Sequence, residues 1–112
     1  MATISTRIPG ISLEAEERLL NVFARQPGLR RVWLYGSRAL GRHRSSSDLD
    51  LTLEGDDLSH HKLLLLLQAI YDLLLPWSVD LSLRQELPAD LEAHVERVGR
   101  CIWSRDAEPG AT

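Results

Sequence analysis

Residues 48–54 alternate strictly between polar side chains and leucine, and this pattern constrains the fold more than any other stretch of the chain. The polar positions are Asp48, Asp50, Thr52 and Glu54. Because successive side chains of a β-strand point to opposite faces, the pattern predicts a strand with one core-facing side and one acidic side. Two carboxylates on one face repel each other unless a cation lies between them, and such oxygen ligands suit Mg²⁺. The stretch therefore predicts a metal site, with a solvated strand face as the alternative.

A second feature lies just upstream, where the apolar run Val32 to Tyr35 predicts a strand that ends at Gly36 and Ser37. Glycine permits close approach of the backbone, serine offers a hydroxyl, and the amides at the start of a short helix would bind an anion. A basic connector leads from this pair to Asp48, so a phosphate site and a metal site lie at its two ends. Together they indicate a nucleoside triphosphate; the alternative is that the arginines are surface charges without a ligand. The candidate nucleotide-binding residues are Gly36, Ser37, Arg38, Arg42 and Ser47.

A third carboxylate, Asp80, lies in a stretch that predicts another strand, residues 77–83. Asp80 alternates with Val79 and Leu81, so it shares a face with serines and not with the apolar side chains. If this strand is a neighbour of residues 48–54, three carboxylates converge at one place.

Composition limits the number of domains and the cellular setting. The 112 residues suffice for one domain, which we predict over 12–104, between a flexible N-terminus at 1–11 and a disordered tail at 105–112. The formal net charge of −3 provides no overall attraction to nucleic acid. The single cysteine, Cys101, excludes an intramolecular disulfide and is typical of the reducing cytoplasm. No signal peptide is recognisable, and the leucine-rich run 63–75 is too short to cross a bilayer, so we expect a cytoplasmic protein without membrane contact.

Apolar periodicity predicts helices over residues 12–26 and 59–75, and a third helix that begins near Pro88. The second helix has more leucines than one core-facing stripe requires, and the surplus falls among polar residues. This surplus predicts a surface for a protein partner or for self-association; the alternative is a helix enclosed on both sides within the domain. The surplus leucines are Leu64, Leu65 and Leu75.

Two further reactive side chains are interpreted as structural. His94 has no histidine or cysteine at metal-ligand spacing, and no general base can be placed near Cys101.

The motif residues carry a family resemblance. Gly36-Ser37, a connector of ten residues and Asp48-x-Asp50 followed by an apolar residue resemble the signature of the nucleotidyltransferase superfamily that includes DNA polymerase beta. The short chain is most similar to the minimal nucleotidyltransferases (MNT), which are the antitoxin partners of HEPN toxins in prokaryotes. The resemblance implies an α+β nucleotidyltransferase fold, a small mixed β-sheet with helices packed on one face. In the family a third acidic residue completes a triad, and Asp80 matches it.

The resemblance also implies a function. Asp48, Asp50 and Asp80 would be the catalytic and metal-binding residues, with two Mg²⁺ ions as cofactors and ATP as substrate. The expected activity is that of a protein adenylyltransferase, which transfers AMP to a hydroxyl, by the resemblance a tyrosine, of a HEPN toxin and so acts as its antitoxin. Relatives that modify RNA or small molecules carry an extra acceptor domain, so nucleic acid is not expected as the direct acceptor. Two alternatives stay open: a binding module that neutralises its partner by covering it, and a transferase with a small-molecule acceptor.

Overall fold

The computed structural model describes residues 7–105, which contain three α-helices and four β-strands. Of the predicted flexible N-terminus at 1–11 and disordered tail at 105–112, residues 1–6 and 106–112 lie outside these described residues. None of the helices in residues 7–105 combines the length and apolar character needed to span a bilayer. The elements are α1 (Leu13–Ala24), β1 (Leu29–Tyr35), β2 (Leu49–Gly55), α2 (His60–Tyr71), β3 (Val79–Leu83), a 3₁₀ turn (Arg84–Glu86), α3 (Ala89–Val98) and β4 (Arg100–Ser104).

The four strands form one mixed sheet in the order β3-β2-β1-β4. Strand β1 pairs antiparallel with β2 and with β4, whereas β2 and β3 run parallel and are joined by the α2 crossover. In the parallel pair Asp50 lies opposite Asp80, and Leu51 lies opposite Leu81. The predicted α+β fold with a small mixed sheet is confirmed.

The main core lies on the leucine face of the sheet, beneath α1 and α2. Leu51 and Leu53 of β2 are buried there with Phe23 of α1 and Leu66 of α2. The Ser12 hydroxyl caps α1 by accepting a hydrogen bond from the Ala15 N–H at 3.1 Å. This face follows directly from the leucine alternation in the sequence.

Ordered packing begins before the predicted domain start at residue 12. Ile8 and Ile11 lie in the core, at 0% and 6% exposure. The buried Glu16 carboxylate accepts a hydrogen bond from the Ile8 N–H at 2.9 Å, so α1 fixes the segment that precedes it. At the other end, the Arg105 guanidinium donates to the Leu29 carbonyl at 2.9 Å.

Helix α3 lies on the opposite, polar face of the sheet, so two of the three helices share a face and the third does not. Its Val95 is buried, and its Glu92 accepts a hydrogen bond from Arg84 at 2.9 Å. Arg84 also contacts Glu54 of β2 at 3.2 Å and lies over the Trp33 ring. The polar face is thereby covered at one end and left open at the end where Asp50 and Asp80 stand.

The structure corrects the predicted extent of the second helix, which ends at Tyr71 and not at residue 75. The chain then turns through Leu74, which has a φ of 57° and is 83% exposed. Leu75, predicted to be on the outer face, instead packs against the core, whereas Leu64 and Leu65 are exposed at 63% and 54%. The difference arises because the chain must leave the helical path to enter β3.

Candidate active site

The polar face of the sheet brings Asp50 and Asp80 side by side. They occupy paired positions of the parallel strands β2 and β3, and β2 begins directly after Asp48. The Leu49 N–H donates to the Ser78 carbonyl at 2.9 Å, which fixes the start of β2 against β3. The strand pairing that the sequence analysis left conditional is therefore present.

The carboxylates of this cluster carry negative charge that no ion pair observed in residues 7–105 neutralises. Burial raises the pKa of the Asp50 carboxyl, and the negative charges of Asp80 and Asp48 raise it further; only a protonated His94 would oppose this shift. The ion pairs observed in the described part of the chain lie elsewhere, and none of them includes Asp50 or Asp80. The site thus has negative charge that a bound cation would balance.

The donor atoms fit a divalent cation, but the side chains are not gathered around a point. In residues 7–105 no group of three or more His, Cys, Asp or Glu side chains is arranged to hold a metal ion. Asp50 and Asp80 nevertheless present hard oxygen donors from paired strand positions, and their repulsion would be relieved by a cation between them. The chemistry of the pair therefore fits Mg²⁺ better than it fits a softer metal.

Gly36 connects this acidic cluster to the predicted phosphate turn. Its φ is 77°, a value that favours glycine, and a Cβ atom placed on it would collide with the Asp50 carboxylate. The turn backbone therefore lies directly against the Asp50 side chain. Any side chain at position 36 would both strain the turn and displace the carboxylate.

The residues after Gly36 form a helical turn. The Leu40 N–H donates to the Gly36 carbonyl at 3.2 Å, and the Arg42 N–H donates to the Ser37 carbonyl at 2.8 Å. Among the backbone hydrogen bonds of residues 7–105, none uses the N–H of Ser37 or Arg38 as donor. Because Arg38 is fully buried, the Ser37 amide and the partly exposed Ser37 hydroxyl are what the turn offers to an anion.

Arg38 has a role that the sequence analysis did not predict. Its side chain is fully buried, and its guanidinium donates to the carbonyls of Pro9 and Ser47, each at 2.7 Å, and to that of Ser45 at 3.4 Å. Burial lowers the pKa of Arg38, and the nearby Asp48 opposes that shift. Arg38 therefore supports the connector from below instead of facing outward as a free charge.

The other predicted connector residues lie at the surface of the same loop. Arg42 and Asp48 are exposed, and the Ser47 hydroxyl accepts a hydrogen bond from the Arg44 N–H at 2.7 Å. The Trp77 indole donates to the Ser45 carbonyl at 3.0 Å, which ties the loop to the chain entering β3. The loop is thus anchored from beneath and from its side.

Sequence reasoning missed two residues at this site, His94 and Tyr35. The His94 ring nitrogen Nε2 accepts a hydrogen bond from the Gly36 N–H at 3.1 Å. Tyr35 is buried next to it, and burial raises the pKa of the Tyr35 phenol, with smaller effects from Asp50 and Asp80. The alternation of β1 places Tyr35 at the motif, but no sequence signal links His94 to a glycine 58 positions away.

Comparison with known proteins identifies the family. The sequence matches the family described as polymerase beta, nucleotidyltransferase, over residues 17–108. The chain belongs to this nucleotidyltransferase family. The family resemblance of the Gly36-Ser37 and Asp48-x-Asp50 motif is therefore confirmed. No curated protein matches the nucleotidyltransferase chain.

Solved structures with the same fold come from toxin–antitoxin complexes. The nucleotidyltransferase chain is 24% identical to a chain of a toxin–antitoxin crystallised with AMP-PNP, covering 86% of its own length and 76% of the other, with a TM-score of 0.66. It is 22% identical, with a TM-score of 0.62 and coverage of 81% and 71%, to a chain in the complex of tri-AMPylated Shewanella oneidensis HEPN toxin with MNT antitoxin. It is 21% identical, with a TM-score of 0.62 and coverage of 83% and 73%, to a chain of the MntA-HepT toxin–antitoxin. At these identities the matches establish a shared fold.

Proposed function

We propose that this nucleotidyltransferase transfers AMP from ATP to a hydroxyl of a HEPN toxin and acts as its antitoxin. The observation that carries the proposal is the contact between the Gly36 turn and the Asp50 carboxylate, beside Asp80 in the neighbouring strand. A phosphate turn in contact with one carboxylate, with a second carboxylate beside it, is the arrangement that a nucleotide bound with a divalent cation requires.

The roles of the residues follow from their positions. Asp48, Asp50 and Asp80 would hold Mg²⁺, which when bound balances the charge of the triphosphate and of the transition state. The free amide and the hydroxyl of Ser37 would bind the β- and γ-phosphates, and the exposed Arg42 would add positive charge at the rim. Arg38 would contribute by holding this loop in place.

The transfer itself is a single displacement at phosphorus. The oxygen of the acceptor hydroxyl forms a bond to the α-phosphorus, and the bond from that phosphorus to the bridging oxygen breaks, so that pyrophosphate leaves. Asp80 is exposed at the open end of the site and would accept the hydroxyl proton. In-line attack needs the phosphate groups and the acceptor hydroxyl to be held in place. The turn would hold the phosphates, and the bound toxin would bring the acceptor.

The proposed acceptor is a tyrosine hydroxyl of the toxin. The shared fold with a chain in the complex of a tri-AMPylated HEPN toxin with MNT antitoxin supports the toxin as acceptor, and the choice of tyrosine rests on the family resemblance. We place the contact with the toxin on the outer face of α2, where Leu64 and Leu65 are exposed at 63% and 54%. Leu74 and Tyr71 continue this surface beside a groove of about 490 Å³ that reaches β3.

The test is the intact mass of the HEPN protein encoded beside this chain, after incubation with the nucleotidyltransferase, Mg²⁺ and ATP. We expect one or more added adenylyl groups, none of which appear with the Asp48→Asn variant. Tandem mass spectrometry then identifies the modified side chain. A stable complex without any gain in mass would refute the transfer and would favour neutralisation by binding alone.

A further inference from the structure

Helix α3 reaches the phosphate turn through one side chain, His94. The Nε2 atom of its ring accepts the hydrogen bond of the Gly36 N–H at 3.1 Å. A nitrogen that accepts carries no proton, so the neutral ring has its proton on Nδ1. The contact joins two segments that are far apart in sequence and lie on different elements, the end of β1 and the middle of α3.

The His94 ring is held in place by its surroundings. The Tyr35 ring meets it edge to face, with centroids 6.1 Å apart and an angle of 78° between the planes. Tyr35 is itself buried at the end of β1, where it pairs with Asp50 of β2. The imidazole is therefore fixed by the sheet below and by its own helix, and it presents one acceptor atom to the turn.

The turn needs such an external constraint. Gly36 adopts a φ of 77°, and glycine has little intrinsic preference among its allowed conformations. The peptide plane between Tyr35 and Gly36 is oriented by the hydrogen bond to His94. That plane sets the direction of the next two amides, those of Ser37 and Arg38, and the distance between the turn and the Asp50 carboxylate.

We propose that His94 is a positioning residue for the nucleotide: by holding the Gly36 N–H it presets the turn that binds the triphosphate. This inference rests on the proposed nucleotide-binding function. Because the Gly36 amide is already paired with His94, the turn binds phosphate through the Ser37 amide that follows it. Preorganisation of this kind strengthens binding by reducing the conformational freedom lost when the ligand enters.

The test compares three variants. His94→Leu keeps the approximate size of the side chain and removes the acceptor, whereas His94→Gln keeps an acceptor oxygen. Glu96→Gln is the control, since it weakens another α3 contact, that of Arg84 Nη2 with Glu96 Oε1 at 2.8 Å, without touching the turn. The measurements are hydrogen exchange at the Gly36 amide, the Kd of a non-hydrolysable ATP analogue with Mg²⁺, and kcat and KM for transfer.

For His94→Leu we expect exchange at Gly36 and the Kd of the analogue both to rise about tenfold, the effect of losing one hydrogen bond. KM for ATP should rise with the Kd while kcat changes less, because the chemical groups remain. His94→Gln should recover most of the affinity, and Glu96→Gln should bind like the parent protein.

Two results would overturn the proposal. Unchanged exchange at Gly36 in His94→Leu would mean that the hydrogen bond does not hold the turn. Faster exchange at Gly36 in His94→Leu with unchanged affinity for the analogue would leave His94 with a purely structural role. An affinity loss in His94→Gln equal to that in His94→Leu would lead to the same conclusion. Failure of the proposed function looks different: a parent protein that binds the analogue but transfers nothing would refute the transfer while the effect of His94 on binding stays measurable.

Discussion

Replacing Gly36 with alanine should disable the site by moving Asp50, and the magnitude follows from the geometry. A left-handed backbone costs a residue with a Cβ about 1–2 kcal/mol. The added Cβ would overlap the Asp50 carboxylate and lie 3.2 Å from its Cγ, so the Asp50 side chain must rotate, at a further cost of about 1 kcal/mol. Alanine also restricts the unfolded chain more than glycine does, and this offsets about 0.5 kcal/mol of the two costs. We expect a net loss of about 2 kcal/mol in the free energy of unfolding.

Gly41 provides the matched control. Its φ of 73° is close to that of Gly36, but a Cβ placed on it would have nothing within 4 Å. Gly41→Ala therefore carries the backbone strain without the collision, and it should cost about 1 kcal/mol. The difference between the two variants isolates the displacement of Asp50.

The assay pairs urea unfolding with the transfer rate. A displacement of about 1 Å at a reacting group costs about 100-fold in rate, so Gly36→Ala should lose at least that factor. Gly41→Ala should stay within a few-fold of the parent rate. Equal rates in the two variants would refute the reasoning, because the Asp50 carboxylate would then not depend on the absence of a side chain at position 36.

Three further substitutions test other parts of the structure. Asp50→Asn should reduce transfer by more than about 100-fold. The same variant should have a higher free energy of unfolding at neutral pH in urea unfolding, since it removes a carboxylate that its neighbours repel. Arg38→Met should lower the free energy of unfolding by about 3 kcal/mol in the same assay, because buried carbonyls lose their donor. Leu64→Asp should weaken the complex with the toxin in titration calorimetry while the free chain unfolds at the same urea concentration, since Leu64 is 63% exposed.

The pH dependence of the Asp50→Asn effect has a definite sign. The folded state raises the pKa of Asp50, so between the ordinary and the raised value it binds more protons than the unfolded chain. The stability associated with this group is therefore present at low pH and lost as pH rises through the raised pKa. The advantage of the asparagine variant should be largest above that pH and should vanish below the ordinary aspartate range. An advantage that is constant with pH would contradict the electrostatic explanation.

Each of the three substitutions has an outcome that would count against its reasoning. Undiminished transfer by Asp50→Asn would exclude this carboxylate from the reaction. A fully stable Arg38→Met would mean that the carbonyls of Pro9 and Ser47 find other donors. Unchanged toxin affinity in Leu64→Asp would remove the outer face of α2 from the interface.

Features that depend on local alternation could be predicted from the sequence, and features that depend on distant contacts could not. Asp50 and Asp80 each follow a period of two within their own strand, and the crossover through α2 supplies the adjacency that alternation alone left open. Arg38 appeared as a free cation beside the phosphate turn, because its burial depends on Pro9, 29 positions away. The second helix was predicted too long because the leucine pattern continues beyond Tyr71, where the helix ends. Periodicity alone does not show where the chain must turn toward the next strand.

The position of β3 at the edge of the sheet has a consequence for how the site fails. Within residues 7–105, strand β3 has five residues, pairs only with β2 and supplies the second carboxylate of the cluster. Edge strands open locally at a lower free energy than the whole domain unfolds. Detachment of this short strand would separate Asp80 from Asp50 and loosen the Trp77 tie to the loop. It would also expose Leu81 and Leu83, which lie in the core, so the acidic pair can come apart only when the core opens on that side. The geometry of the site is thus coupled through β3 to the packing of the core.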